Sequence, residues 1–466
     1  MNDNQLKPAI FVIFGITGNL AQRRLLPALY HLIKDDLLDE RTEIVGVSRR
    51  QISVDELLKK VELCVLETDN VCDPKVLSKF RAKLQMLAFD PTNEADYDQL
   101  LKTLATIEDK QGTCMNRLFY LSIPPQVYGP VIRNFGKHRL NEGCLDHDGS
   151  ARLLVEKPFG YDLESARDLI SLTNQYFSEA QVFRIDHYLA KETVQNLLVF
   201  RNSNPIFANQ WNKDHISGIT INLDEQIGIE GRSDFYNSVG ALRDVVQNHL
   251  LQLLALVTME LPDKTSDSAD LHKAKQAVLA AIKPINMAGA SVIRGQYEGY
   301  REEVGNPHSN TETFVSLSLS IDNARWQGVP IRLTTGKALK SQQSTIKLSF
   351  GSKEARQAVN TLTFRIQPNE GIDIELVVKR PGYEHKTETV QMDFGYHDSF
   401  TEPQHPDAYE RVLVDAVKGD HSLFTTSQEV LSAWAILQPV LDAWQKGGAD
   451  LKSYQPGSAG PTINNL

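Results

Sequence analysis

Six short apolar runs mark the first 190 residues: Ile10–Phe14, Ile44–Val47, Met86–Phe89, Leu118–Leu121, Leu153–Val155 and Val182–Ile185. The stretches between them carry apolar residues at helical spacing. Strand and helix alternating in this way is the rhythm of a parallel sheet, because parallel neighbours need a long crossover and cannot be joined by a tight turn. Leu25, Leu26, Leu29, Leu32 and Ile33 supply one such helical face, which Pro27 is expected to kink or delay. Beyond Lys191 the rhythm changes. A helical stretch over Glu192–Phe200, a strand pattern at Ile219–Leu223 and a long apolar helix near Val245–Thr258 lead into a run of strands. Ser291–Gly295, Thr313–Ile321, Pro330–Thr334, Ile346–Phe350, Leu362–Ile366, Ile372–Val378 and Thr389–Phe394 follow with no regular helix between them, which predicts an antiparallel sheet. Helical patterns at Ala408–Val417 and Gln428–Trp444 close the chain, and the Pro/Gly/Ser-rich tail from Ser453 reads as loose.

A chain of 466 residues is too long for one core, so two domains are expected. The predicted class is α/β plus α+β: a doubly wound parallel sheet over residues 1–185, then a domain over 186–466 with a large antiparallel sheet flanked by helices. A net charge of −10 disfavours nucleic acid as a partner, since that affinity needs clustered Lys and Arg. No apolar run nears the ~20 residues that span a bilayer, and Met1–Pro8 is polar, so no membrane partner and a cytoplasmic location are expected. Cys64, Cys72, Cys114 and Cys144 contain no CxxC pair and are expected to be reduced and to hold no metal.

The run Ile10–Phe14 leads directly into Gly15, Ile16, Thr17, Gly18, Asn19, Leu20 and Ala21, after which a helical pattern begins. Small residues at 15, 18 and 21 suit a tight turn in which backbone N–H groups and a helix N-terminus hold a pyrophosphate, as in Rossmann-type folds. A bare GxxGxxA also occurs for structural reasons alone; its place between the first strand and the first crossover favours the phosphate role. The second strand ends at Val47 and is followed by Ser48, Arg49 and Arg50. An acidic residue there suits the ribose hydroxyl of NAD, whereas Arg49 suits the 2′-phosphate of NADP.

Three further segments carry dense polar chemistry. Lys157 follows Val155-Glu156 at a strand end, the side on which open α/β sheets bind ligands. Arg184-Ile-Asp186-His187-Tyr188-Leu-Ala-Lys191-Glu192 stands at another; if it turns helical, His187 and Lys191 lie one turn apart and can share a phosphate. Asp244 and His249 sit in the apolar helix, about 140° apart at ~100° per residue, which places them on the flanks of a cleft. A lone histidine on such a helix is more often a satisfied core residue than a base.

These segments and the Gly15 turn resemble the signatures of the glucose-6-phosphate dehydrogenase family, over nearly the whole chain. Asp322–Pro330, Gly336-Lys337-Ala-Leu, Ile366–Glu370 and Pro406–Arg411 also resemble family motifs, in the expected order. The resemblance implies oxidation of D-glucose 6-phosphate to 6-phospho-D-glucono-1,5-lactone with reduction of NADP, the opening step of the oxidative pentose phosphate route. His249 would be the general base and Asp186 its partner. His187, Tyr188 and Lys191 would bind the sugar phosphate, and Glu225, Asp244 and Lys337 the sugar hydroxyls. Tyr128 and Lys157 would join the cofactor shell, Lys157 also reaching the substrate. No metal is implied, and a homodimer or homotetramer is.

The chain departs from the family pattern in four places. Asn19 replaces an Asp, Ala190 replaces a Gly, Gln342 stands where a second basic residue is usual, and Thr334 and Thr335 leave no arginine before the Gly-Lys pair. Gln342 can bind an oxygen but brings no charge to an anion, a lack that nearby Lys340 offsets in part. Two other readings remain open: a catalytically weak NADP-binding paralogue, and a dehydrogenase for another sugar.

Overall fold

A computed structural model of the chain describes residues 6–143, 149–263, 267–287, 291–351, 360–400, 406–448 and 450–462. They form two compact units. The first takes the described residues up to Gly160, then Glu164–Ala190 and Pro406–Ser427; the second takes Tyr161–Leu163 and the remainder. Strands are numbered β1–β16 in chain order.

In the first unit, β1 (Ala9–Phe14), β2 (Glu43–Ser48), β3 (Leu84–Ala88), β4 (Asn116–Leu121), β5 (Ala151–Val155) and β6 (Val182–Ile185) make a parallel sheet in the order β3-β2-β1-β4-β5-β6. This is the Rossmann-type order, in which the winding reverses between β1 and β4. Register levels Phe14 with Val47 on one side and Leu121 on the other, so the Gly15 turn leaves the carboxyl edge at that reversal. Every residue of β1 is buried, as the centre of a sheet covered on both faces requires.

The first crossover helix is continuous from Asn19 to Lys34 and changes to π-helical register over Ala21–Leu25, just ahead of Pro27, whose ring and missing N–H disturb the α-helical ladder at that point.

A second helix, Ala408–Lys418, shares this core: Tyr409, Val412, Leu413 and Ala416 pack with Leu26, Leu29 and Phe183. Arg152 ties it down by donating to the carbonyls of Ala416 and Val417, and β15 (Phe424–Thr425) then pairs antiparallel with β6. Periodicity predicts this helix but is silent on which sheet it covers. Cys64 and Cys72 are free thiols, whereas Cys114 is disulfide-bonded, which corrects the expectation of a reduced set; Cys144 lies outside the described residues. Bonding depends on which sulfurs the fold brings together, and sequence spacing does not report that.

The second unit holds a nine-stranded sheet made of β7 (Ile216–Asp224), β8 (Val292–Tyr297), β9 (Phe314–Leu319), β10 (Ile331–Gly336), β11 (Gln343–Phe350), β12 (Asn360–Gln367), β13 (Gly371–Lys379), β14 (Thr387–Gly395) and β16 (Leu451–Tyr454). Their order is β14-β13-β12-β11-β7-β10-β9-β8-β16, mostly antiparallel as expected. Two pairings are parallel, β7 with β10 and β8 with β16. The second of these corrects the loose tail. Tyr454 is buried in an aromatic cluster with Tyr297, Tyr300 and Phe314, and this burial fixes a strand that the tail's composition disguises; residues 463–466 lie outside the described ones.

The long helical stretch of this unit runs from Ser233 to Thr258 in three parts, with its middle, Leu242–Leu250, π-helical. It turns at Gly240, whose positive φ of 72° leaves the Leu242 N–H free to bond the buried Glu312 carboxylate at 2.9 Å. Among the described residues no helix is long and apolar enough to cross a membrane.

Candidate functional site

The Gly15 turn is built by backbone. Gly15 N–H donates to Val47 O at 3.0 Å, Gly18 N–H to Gly15 O at 2.8 Å and Gln22 N–H to Gly18 O at 3.1 Å, which carries the chain into the helix. Gly15 has φ +78°, and a Cβ there would lie 2.2 Å from Ser122 O, so no side chain fits. At the end of β2, Ser48 Oγ accepts the Arg50 N–H at 3.2 Å and meets Thr17 Oγ1 at 3.5 Å, while Arg49 is exposed. A side-chain-free turn at the sheet's reversal, opening a helix, fits the pyrophosphate of a dinucleotide.

At the carboxyl ends of β5 and β6 the first unit gathers Glu156, Lys157, Asp186, His187 and Tyr188. Asp186 is 1% exposed and accepts the Tyr188 N–H at 3.0 Å, which braces it at the strand end. Tyr128 is buried, with its hydroxyl turned to the Glu156 carbonyl at 3.2 Å. Tyr120 Oη donates to Glu156 Oε1 at 2.5 Å. Burial pushes the Glu156 carboxyl up to about 7, against the hydrogen bond from Tyr120 and the charge of Lys157, with Asp186 adding to the rise.

The helical spacing proposed for His187 and Lys191 is not formed. Residues 187–190 are turns, and Lys191 is the extended N-cap of the helix Glu192–Ser203, so i, i+4 geometry does not apply to them. Asp186 takes the Tyr188 N–H and so stabilises a turn at the position where a helix would have begun.

In the second unit, Glu225 and Lys337 follow the ends of the parallel strands β7 and β10, and Lys337 Nζ donates to Glu225 Oε2 at 2.7 Å. Lys337 also lies 5.2 Å from the ring centroid of Tyr236, and the buried Tyr236 phenol faces the carboxylates of Asp244, Glu312 and Glu225. Tyr236 thus gathers three expected substrate residues. The expected angle between Asp244 and His249 is corrected by the π-helix: i→i+5 hydrogen bonding brings residues five apart one above the other, where an α-helix splays them. His249 is 2% exposed, and its backbone N–H donates to Asn248 Oδ1 at 2.6 Å. Gln342 is exposed and lines a polar cavity of about 530 Å³ with Arg365 and Glu370, while Lys340 lines another, of about 630 Å³, with Asp224 and Thr334.

Sequence reasoning missed Tyr236, Glu156 and Tyr409. The last two stood inside quoted motifs, so their signal was present but had no assigned role; Tyr236 stood in none.

A Rossmann-type unit with its glycine turn, joined in one chain to a polar cluster on a mostly antiparallel sheet, defines a nicotinamide-nucleotide oxidoreductase of two units. The chain belongs to the glucose-6-phosphate dehydrogenase family. The family's NAD-binding domain matches residues 12–196 and its C-terminal domain residues 198–465. The glucose-6-phosphate 1-dehydrogenase of Chlamydia pneumoniae is 40% identical, over 97% of this chain and 93% of that protein. The Arabidopsis thaliana protein named glucose-6-phosphate 1-dehydrogenase 6, cytoplasmic, is 37% identical, over 97% and 88%. A solved structure described as glucose-6-phosphate dehydrogenase in complex with its substrate glucose-6-phosphate is similar at a TM-score of 0.90 and 33% identity, covering 99% of this chain and 97% of that one.

Proposed function

We propose that the chain oxidises D-glucose 6-phosphate to 6-phospho-D-glucono-1,5-lactone and reduces NADP, in the cytoplasm. Residues 1–185 are taken to hold the nucleotide and 186–466 the sugar. The observation that carries the reading is the likeness of the whole chain to a solved dehydrogenase with that sugar phosphate bound.

In this reading, Gly15–Ala21 cradle the pyrophosphate and Arg49 meets the 2′-phosphate, with Tyr128 and Lys157 beside them. The oxidised nicotinamide, when bound, accepts a hydride from C1 of the sugar. His249 takes the proton of the C1 hydroxyl, and Asp186 stabilises the resulting imidazolium. His187, Tyr188 and Lys191 hold the phosphate by charge and hydrogen bonds. Glu225, Asp244, Lys337 and Gln342 orient the ring, and Lys157 reaches both ligands. An imidazole needs little tuning to serve as a base near neutral pH.

The test follows the NADPH absorbance band with glucose 6-phosphate, glucose and a panel of other sugar phosphates, using NADP and NAD in turn. Turnover is expected with glucose 6-phosphate and NADP. His249→Asn should lower kcat by about 10²–10⁴-fold with NADP affinity unchanged, and near-normal turnover in that variant would reject the assigned base. Arg49→Ala is expected to weaken NADP and leave NAD as it was. Tight NADP binding without turnover on any phosphosugar would favour the non-catalytic reading, for which the uncharged Gln342 is the motive.

A homodimer or homotetramer is part of the same proposal. Among the described residues β14 is the outermost strand, and it exposes Val390 and Met392, apolar side chains at a sheet edge of the kind that proteins usually cover. Light scattering across a concentration series tests it, and a strictly monomeric mass would reject it.

A further inference from the structure

Tyr409 lies in a motif to which the proposed chemistry gives no role. It reaches the first unit from more than two hundred residues beyond the strands it joins, on the helix Ala408–Lys418, and is 7% exposed. Its ring lies nearly parallel to that of His187, 15° between planes and 6.1 Å between centroids. The Glu156 carboxyl, gripped by Tyr120, is an electrostatic neighbour of the Tyr409 phenol. The helix that carries it is held by Arg152 through the Val417 carbonyl at 2.6 Å and by His31 through Glu410 at 2.6 Å, so the ring has little freedom.

Resting on the function proposed above, we infer that Tyr409 is a positioning residue for the phosphate end of the site: its ring sets the plane of His187. A histidine that must present an N–H to an anion gains from a flat neighbour that removes one rotational freedom, and pre-ordering of this kind acts on binding.

Steady-state kinetics on the full chain test it. Tyr409→Leu removes the ring and is expected to raise KM for glucose 6-phosphate about tenfold, with kcat kept within about twofold and the Kd for NADP unchanged. Tyr409→Phe keeps the ring, so KM should stay near the wild-type value. Equal KM in Tyr409→Leu and wild type, or a KM raised as far in Tyr409→Phe as in Tyr409→Leu, would overturn the inference. Should Tyr409→Leu fail to fold, Tyr409→Met, which fills the space without a flat ring, takes its place with the same expected outcomes. A wild-type protein with no turnover would sink the functional reading and this inference with it; an active wild type with insensitive Tyr409 variants would sink this inference alone.

Discussion

His31 and Glu410 are 379 positions apart in the chain, and 2.6 Å separates His31 Nδ1 from the Glu410 carboxylate. The other ring nitrogen of His31 stands 3.0 Å from Asp69, so one imidazolium bridges acids on two helices. Burial pulls the His31 pKa down, but the bond and charge of Glu410 and the charge of Asp69 outweigh it and raise it above the ordinary value. A raised histidine contributes stability that is complete below about 6.5, its unfolded value, and lost as pH rises through the higher folded value. His31→Gln is therefore expected to lower Tm by about 2–4 °C at pH 6 and by much less at pH 9. Thermal scans across that range check it, and a deficit that grows with pH would contradict it.

Lys275 and Glu429 form a pair fully out of solvent, 2.9 Å apart, with Gln252 and His272 completing the bonds to the carboxylate. Removing the cation strands a buried anion. Lys275→Met is expected to cost about 3 kcal/mol in urea unfolding, more than Lys275→Met combined with Glu429→Met, because apolar replacement of both charges removes the uncompensated one. A double variant weaker than the single by a further 3 kcal/mol or so would show that the two charges act independently.

Gly15→Ala tests the nucleotide turn. The added Cβ would meet Ser122 O at 2.2 Å in a backbone region that L-residues avoid, so the turn must shift where the phosphates are to lie. NADP affinity is expected to fall by at least about tenfold, read by quenching or calorimetry, with melting of the second unit unchanged. Unaltered affinity would place the nucleotide elsewhere.

Lys337 takes its place from Glu225 and from the ring of Tyr236. Glu225→Gln keeps the size and loses the charge, a change worth about 1–2 kcal/mol in a charge-assisted bond. KM for the sugar phosphate is expected to rise about tenfold, and a double-mutant cycle with Lys337→Met should show strong coupling. Additive effects would mean that the two side chains meet substrate separately.

Much of this was legible along the chain. Runs such as Ile10–Phe14 and Leu118–Leu121 announce themselves because a central strand buried on both faces must be apolar throughout. The glycine turn was legible because Gly15 needs a positive φ that few other residues accept. What escaped was whatever depends on contacts between distant segments. Nothing in Leu451–Tyr454 says that it will pair in parallel with β8, and the helical spacing of Ala408–Val417 does not announce that Tyr409 will stack on His187. The π-helical register around His249 escaped for a local reason: periodicity arguments assume α geometry, so Asp244 and His249 were placed on the wrong angle.

The late arrival of β15 and β16 bears on how the protein is made. Translation runs from one end, yet the parallel sheet that starts at residue 9 gains its last strand only with Phe424–Thr425, and the Lys337 carbonyl receives the Tyr454 hydroxyl at 2.7 Å only when residue 454 is made. Neither unit can finish folding on the ribosome until nearly everything else has emerged, so the nascent chain must keep an unfinished sheet edge in each unit through most of its synthesis.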